Sequence, residues 1–399
     1  MFKHLLSDKL QSMSESATIK MAKKARELKS QGVDVISLSL GEPDFDTPDF
    51  IKDAAKKALD EGYTKYTPVP GLLELRESIC AKFKRDNNLE YDPKEIVVSN
   101  GAKQSIANVC LSLLNPQDEV IIFTPYWVSY FEIVKFAGGD PVPLYAGIDQ
   151  DFKVKPEQLK RAISDKTKLI IFSSPSNPTG SVYTEDELRG LAEVIVEKND
   201  LFVLSDEIYE YISFNAKNPS IATLPGMKER TITVNGMSKG FAMTGWRLGY
   251  MAAPQWIAAA CAKVQGQFTS GATAFGQAAA AHALAQMPSD LDYMKDKFLE
   301  RKILVKKLLE EIPGIKVNDP QGAFYFFADI SDFFGRTNGT RKIDDADEFV
   351  DMLLDEAHVA VVTGRAFGDP NCFRLAYATS NDVLIEALSR IKKVLETYK

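Results

Sequence analysis

Apolar positions along this 399-residue chain follow two alternating rhythms. The runs Ile96-Val97-Val98, Val120-Ile121-Ile122-Phe123, Leu169-Ile170-Ile171-Phe172 and Phe202-Val203-Leu204 are continuously apolar, as strands covered on both faces require. Between them, apolar residues recur every three or four positions, as on one face of a helix. The pattern predicts strands at 33–40, 95–99, 119–124, 168–173, 201–205, 231–235 and 248–252. Helices are predicted at 16–30, 48–61, 71–87, 104–114, 127–136, 156–163 and 185–198. Alternation of this kind predicts an α/β fold whose large domain holds a mostly parallel sheet wrapped by helices.

Beyond residue 300 the text changes character. A charged helix at 302–311, the apolar segment 321–327, a helix at 346–357, a short strand at 359–362, the segment 372–378 and a final helix predict a smaller α+β domain. The expected division is an N-terminal arm and part of the small domain at 1–45, a large domain at 46–299 and a small C-terminal domain at 300–399. The alanine-rich run 278–285 reads as a packed helix.

Charge and composition narrow the function classes. The 48 basic and 55 acidic residues leave a net charge of −7, which argues against nucleic-acid binding through a basic face. Cys80, Cys110, Cys261 and Cys372 form no C-x-x-C pair and read as reduced thiols. His4, His282 and His358 are far apart, so no histidine metal site is expected. No stretch approaches the roughly 18–20 uncharged apolar residues of a membrane span, and the charged N-terminus does not read as a signal peptide. A cytoplasmic protein without a metal is expected.

Four segments could carry chemistry, all just past expected strand ends, where open α/β sheets bind ligands. In the segment 235–249, Lys239 follows a strand and sits among Gly236, Gly240, Gly245 and Gly249. Such a lysine could form a Schiff base with a carbonyl cofactor, and Arg247 could supply a forked cation for a phosphate. The alternative is a surface lysine and a salt-bridged arginine. Gly236-Met237-Ser238-Lys239-Gly240 also fits the G-x-S-x-G elbow of serine hydrolases, although no HGGG-type segment accompanies it. Asp206 ends an apolar run, with Tyr209 three residues on. A buried carboxylate needs a partner, and a protonated pyridine ring would serve; an N-capping Asp and a core Tyr are the alternative. Asn177 lies in the proline-flanked loop 173–180, which could equally be a plain turn. Gly101-Ala102-Lys103 opens a helix, and the free amides there suit a phosphate, or an ordinary turn.

Taken together and in order, Asn177, Asp206 with Tyr209, Lys239 and Arg247 resemble the signature of class I, fold type I, pyridoxal-phosphate aminotransferases. The resemblance extends to SLSLGEPDFDTP (37–48), TKYTPVPG (64–71), PYWVSY (125–130), QGAFYFF (321–327) and CFRLAYA (372–378), and so covers essentially the whole chain. The segments NGAKQ (100–104) and PYWVSY are similar to those of a bacterial aspartate aminotransferase subgroup.

The resemblance implies pyridoxal 5'-phosphate as cofactor and transfer of an amino group from L-aspartate to 2-oxoglutarate by a ping-pong mechanism. Lys239 would hold the cofactor as a Schiff base and then shuttle the substrate's α-proton. Asp206 would pair with the pyridine nitrogen, Asn177 and Tyr209 would bond the phenolic oxygen, and Trp127 would stack on the ring. Gly101, Ala102, Lys103, Ser238 and Arg247 would hold the phosphate; Gly236 stands where other branches carry a serine, which weakens the assignment of Ser238. Tyr66 and Ser270 would reach the phosphate of a neighbouring subunit, implying a homodimer. Arg374, assisted by Gly41, would take the substrate's α-carboxylate. Trp127 and Asn177 would also touch the substrate. Lys103, Ser16 and Thr18 would meet its distal carboxylate. An alternative is a prephenate or aromatic aminotransferase on the same scaffold, and a distant one is a serine hydrolase.

Overall fold

The computed structural model describes residues 5–399 except 12, 216, 217 and 287, so His4 lies outside the described residues. Among the described residues, one sheet has seven strands: β2 (Ile96–Ser99), β3 (Glu119–Thr124), β4 (Asp140–Tyr145), β5 (Thr167–Ser173), β6 (Phe202–Asp206), β7 (Thr231–Gly236) and β8 (Gly249–Ala252), with β1 (Ile36–Ser37) elsewhere. Their spatial order is β2-β8-β7-β6-β5-β3-β4. Six strands run one way and β8 runs antiparallel between β2 and β7. Three of the apolar runs lie inside this sheet, in β3, β5 and β6, and the fourth forms the edge strand β2; apart from the half-buried Phe202 their residues are buried, as the lack of alternation predicts.

The sequence pattern does not predict β4. Its residues Pro141 and Pro143 cannot donate to a sheet ladder, which confines such a strand to an edge, and β4 pairs only with β3. The expected strand at 33–40 forms a ladder only over the two residues of β1.

Helices cover the sheet: α3 (Asp49–Asp60), α4 (Leu73–Asn87), α5 (Ala102–Leu113), α6 (Ser129–Ala137), α7 (Pro156–Ala162), α8 (Glu185–Val196), α9 (Gln255–Phe268) and α10 (Ala274–Ala285), preceded by α1 (Asp8–Gln11) and α2 (Ala17–Ser30). Sequence sets their ends. Thr184 accepts from the Glu187 amide while the Glu187 carboxylate accepts from the Thr184 amide, a capping box that starts α8. Gly138, at φ +98°, ends α6 in the left-handed conformation that glycine adopts without steric cost. The small side chains of Ala279, Ala280, Ala281 and Ala283 let α10 pack closely against α3 and α4.

The C-terminal part contains α11 (Asp292–Glu310), β9 (Tyr325–Asp329), α12 (Ala346–Glu356), β10 (Val359–Ala360), β11 (Val362–Thr363), β12 (Cys372–Ala376) and α13 (Asn381–Leu395). The strands β11, β12 and β9 form an antiparallel sheet, and β1 pairs in parallel with β10. The N-terminal segment thus joins the C-terminal one. Helix α11 starts ten residues before the expected helix and spans two cores: Met294 packs with Leu291 and Ala283, Phe298 and Val305 with Phe324 and Phe326.

Candidate active site

Strands β5, β6 and β7 end, and β8 begins, at one edge of the large sheet. A cavity of about 260 Å³ opens there, between that edge, the N-terminus of α5 and the strands β9 and β12. Of the residues singled out in the sequence, Ser16, Thr18, Gly41, Ala102, Lys103, Trp127, Asn177, Asp206, Tyr209, Ser238, Lys239, Arg247 and Arg374 line it. Gly101 lies just outside the lining as the N-cap of α5. Tyr66 and Ser270 are not brought to the cavity: Tyr66 is 99% exposed and Ser270 is half-buried.

Lys239 follows β7 and its Nζ donates to the Gly41 carbonyl at 2.5 Å. Burial is the largest influence on the amine and pushes its pKa down to about 8. Arg374 and Arg247 push the same way, while Glu42 and Asp206 oppose them. A depressed lysine reaches its neutral, basic form near neutral pH.

Asp206, 4% exposed, ends β6. Its Oδ2 accepts from the Tyr130 hydroxyl at 2.6 Å and its Oδ1 from the Ile208 amide at 3.2 Å. Burial pushes its pKa up to about 6, against these two donors and the Lys239 charge. A carboxylate so placed gains from a cation in the cavity.

Arg374, on β12, is 2% exposed. Its Nη1 donates to Asn177 Oδ1 at 2.9 Å and its Nη2 to the Ser39 carbonyl at 2.6 Å. Its guanidinium lies between the rings of Tyr325 and Phe367, 4.6 and 4.8 Å from their centroids. Nε is buried with no hydrogen-bond partner. Burial lowers the pKa of this group, so an anion arriving in the cavity would relieve an under-compensated cation.

At the start of α5 the backbone amides lack intrahelical acceptors. Gly101 has φ +83°, and a Cβ there would fall 2.4 Å from Arg247 Nη2, so glycine lets the guanidinium approach the helix start. Gly249 serves likewise: its Cβ would fall 2.1 Å from the Ala102 nitrogen. The Lys103 ammonium sits 4.9 Å from the centroid of the Trp127 ring, and burial, with Arg247, lowers its pKa. Helix start, guanidinium and ammonium together make an anion site.

Eight lining residues have no role assigned in the sequence, Tyr130, Tyr325 and Ile19 among them. Tyr130 closes the PYWVSY segment, Tyr325 lies in QGAFYFF, and Ile19 follows Thr18 on α2. The two tyrosines stand in the motifs, but nothing in a linear sequence distinguishes a hydrogen-bonding tyrosine from a core one. Among the described residues, no histidine lines the cavity. His282 packs beside Phe50 and His358 lies 3.4 Å from the Leu354 carbonyl, so Ser238 has no histidine base within the cavity.

These residues fit pyridoxal phosphate. The anion site matches a phosphate, Asp206 a pyridinium nitrogen, Lys239 a carbonyl carbon, and the unpartnered Arg374 Nε a substrate carboxylate. Comparison with known proteins points the same way. Residues 33–391 match the family described as aminotransferase class I and II. Over 391 residues the chain is 47% identical to the aspartate/prephenate aminotransferase of Cereibacter sphaeroides, covering 97% of this chain and 98% of the relative. It superposes on the aspartate aminotransferase of Rhizobium meliloti with a TM-score of 0.96 at 40% identity, over 99% of each chain. The aspartate aminotransferase of Thermus thermophilus with maleate is also similar, with a TM-score of 0.92 at 41% identity over 98% of this chain and 99% of the other.

Proposed function

The chain belongs to the class I and II aminotransferases, and from that premise we infer that it moves an amino group from L-aspartate to 2-oxoglutarate, giving oxaloacetate and L-glutamate. It is a pyridoxal-phosphate-dependent enzyme. Bound pyridoxal phosphate supplies the carbonyl that accepts the amino group and a protonated ring that withdraws electrons from the α-carbon.

We propose the following roles for the chain's own groups. The Lys239 amine would hold the cofactor covalently and, once released, take the α-proton and return it. Its depressed pKa suits both directions. Asp206 would hold the proton on the ring nitrogen, and Tyr130 keeps the carboxylate placed. Asn177 and Tyr209 would bond the ring's phenolic oxygen, and Trp127 would stack on its face. Gly101, Ala102, Lys103, Ser238 and Arg247 would hold the phosphate. Arg374 and the Gly41 backbone would bind the α-carboxylate.

The observation that carries aspartate as substrate is a pair of cations lining one cavity with Lys239: Arg374, which is buried, and Lys103, whose ammonium lies beside the Trp127 ring and is open to solvent. A dicarboxylic amino acid needs one cation for each carboxylate, and maleate, which accompanies the Thermus thermophilus relative, is itself a dicarboxylate. Ser16 and Thr18 would assist Lys103. A second reading is transamination of prephenate, favoured by the name of the Cereibacter sphaeroides relative. An ammonium is a point charge and constrains ligand geometry less than a guanidinium.

The active unit would be a homodimer. Tyr66 and Phe268 are exposed aromatics, and Thr67, beside Tyr66, donates to the Ala272 carbonyl at 3.4 Å, which brings the two segments together into a partly exposed region that a second subunit would cover. The division into 1–45 with 300–399 against 46–299 is our working description of the domains. Among the described residues, no helix is long and apolar enough to cross a membrane; the cytoplasm is the proposed location.

The test is the visible spectrum of the protein loaded with pyridoxal phosphate. A yellow band that bleaches with L-aspartate and returns with 2-oxoglutarate is expected. A yellow protein indifferent to aspartate but bleached by an aromatic amino acid, or restored by prephenate instead of 2-oxoglutarate, would support the second reading. A protein that stays colourless would overturn both.

A further inference from the structure

Tyr325 is fully buried, yet it touches three parts of the site. Its hydroxyl lies 2.7 Å from the Tyr209 hydroxyl. Its ring lies 4.6 Å from the Arg374 guanidinium. A Cβ on Gly41, whose carbonyl accepts from Lys239, would fall 2.1 Å from the Tyr325 oxygen. The sheet register explains the convergence. Tyr325 pairs with Ala376 and Phe327 pairs with Arg374, so Tyr325 and Arg374 share one face as diagonal neighbours.

We propose that Tyr325 is a positioning residue for amino transfer, its ring fixing the plane of Arg374 and its hydroxyl setting the hydrogen bond that Tyr209 offers into the cavity. The inference rests on the proposed function, in which Tyr209 donates to the cofactor's phenolic oxygen. Two phenols in contact share one hydrogen. The cation over the Tyr325 ring makes that phenol the better donor, because nearby positive charge favours release of a proton. With Tyr325 donating, the hydrogen of Tyr209 is free to point into the cavity. A hydroxyl that accepts one hydrogen bond donates the next more strongly. The hydroxyl and the ring of Tyr325 are separable: Tyr325→Phe deletes the hydroxyl, which meets Tyr209 and lies against Gly41, and keeps the ring over Arg374, whereas Tyr325→Leu deletes both.

The readout is the pH midpoint of the visible band of the cofactor-loaded protein. That midpoint is also set by Glu42, Asp206, Arg247 and Arg374 around the amine, all left unchanged. Tyr325→Phe should raise it by about half a pH unit, the size of one modest hydrogen bond, because a weaker Tyr209 bond leaves the phenolic oxygen more basic. Tyr209→Phe should raise it further, and adding Tyr325→Phe to Tyr209→Phe should change nothing more. The KM for L-aspartate should stay within about twofold in Tyr325→Phe and rise roughly tenfold or more in Tyr325→Leu as the guanidinium loses its support. A midpoint unmoved by Tyr325→Phe, or an equal shift in the presence and absence of the Tyr209 hydroxyl, overturns the assignment to Tyr325 alone. A protein with no visible band would overturn the proposed function and this inference together.

Discussion

Glu207 follows Asp206 but turns away from the cavity into the core, where it is 1% exposed. Its Oε1 accepts from the Ser205 and Ser220 hydroxyls at 3.0 and 2.7 Å, while its Oε2 is buried with no hydrogen-bond partner. An ionised oxygen left without a donor is costly, so the site favours the neutral acid. Burial, with the nearby Glu210 charge, pushes the pKa up from 4.5 to about 8. The consequence for stability has a definite sign. Below pH 4.5 the group is protonated in both the folded and unfolded chain and contributes no pH dependence. Between 4.5 and 8 the unfolded chain releases the proton and the folded one keeps it, so stability falls as pH rises; above 8 the loss is constant. The shift of roughly 3.5 units sets a ceiling of about 5 kcal/mol, and relaxation around the group should leave about 2–3 kcal/mol. Glu207→Gln keeps the oxygen that accepts from both serines and cannot ionise. Urea unfolding of the cofactor-free protein, wild type against variant, at pH 5, 6.5 and 8 isolates this group, because the other titrating groups are common to both. The stability of the wild type relative to the variant should fall by about 2–3 kcal/mol from pH 5 to pH 8. A difference constant within about 0.5 kcal/mol across that range would refute the reasoning.

Three further outcomes are expected. Lys82, fully buried, meets Glu210 at 2.5 Å, and Lys82→Met should destabilise by about 3–5 kcal/mol, whereas Lys82→Met with Glu210→Met should recover most of that loss; thermal denaturation that finds the double variant no more stable than the single one would count against a buried-charge penalty. Gly101→Ala places a methyl group against Arg247 and should weaken pyridoxal phosphate binding by roughly tenfold or more in equilibrium dialysis; unchanged binding would remove Gly101 from the phosphate site. Tyr130→Phe deletes a donor to the Asp206 carboxylate, so the pKa of Asp206 should rise further and the acid limb of kcat/KM should move to higher pH, by about one unit or less. A profile unmoved by that change would separate Tyr130 from the site's electrostatics.

The core strands were legible because strands buried on both faces have no polar alternation to confuse them, and Ile170, Ile171, Val203 and Leu204 are all 0% exposed. Lys239, Asp206 and Asn177 were legible as a set because each lies just past such a strand. What escaped reading depends on partners remote in sequence. Pro141 and Pro143 argue against a strand until β4 is known to be an edge. Helix α9 reads poorly because its run of small residues and Gly266 has weak periodicity; burial of Ile257, Ala258, Cys261 and Gln265 against α5 and β2 supports it. The first turns of α11 are charged, and only Met294 and Phe298 show that they cover a core. Tyr130 and Tyr325 look like core aromatics until the sheet places their hydroxyls beside Asp206 and Tyr209.

The two-residue strand β1 pairs with β10, about 320 residues later in the chain. At synthesis rates of roughly 5–20 residues per second, residues 36–37 leave the ribosome about 15–60 s before Val359 and Ala360 exist to receive them. The same segment supplies the Ser39 carbonyl to Arg374 and the Gly41 carbonyl to Lys239. Val35 and Leu38 belong to a core built largely from residue 298 onward, so their final packing waits for most of the chain to be made. A chain released before residue 359 would leave its N-terminal segment without a strand to join, and with it the carbonyls that meet Lys239 and Arg374.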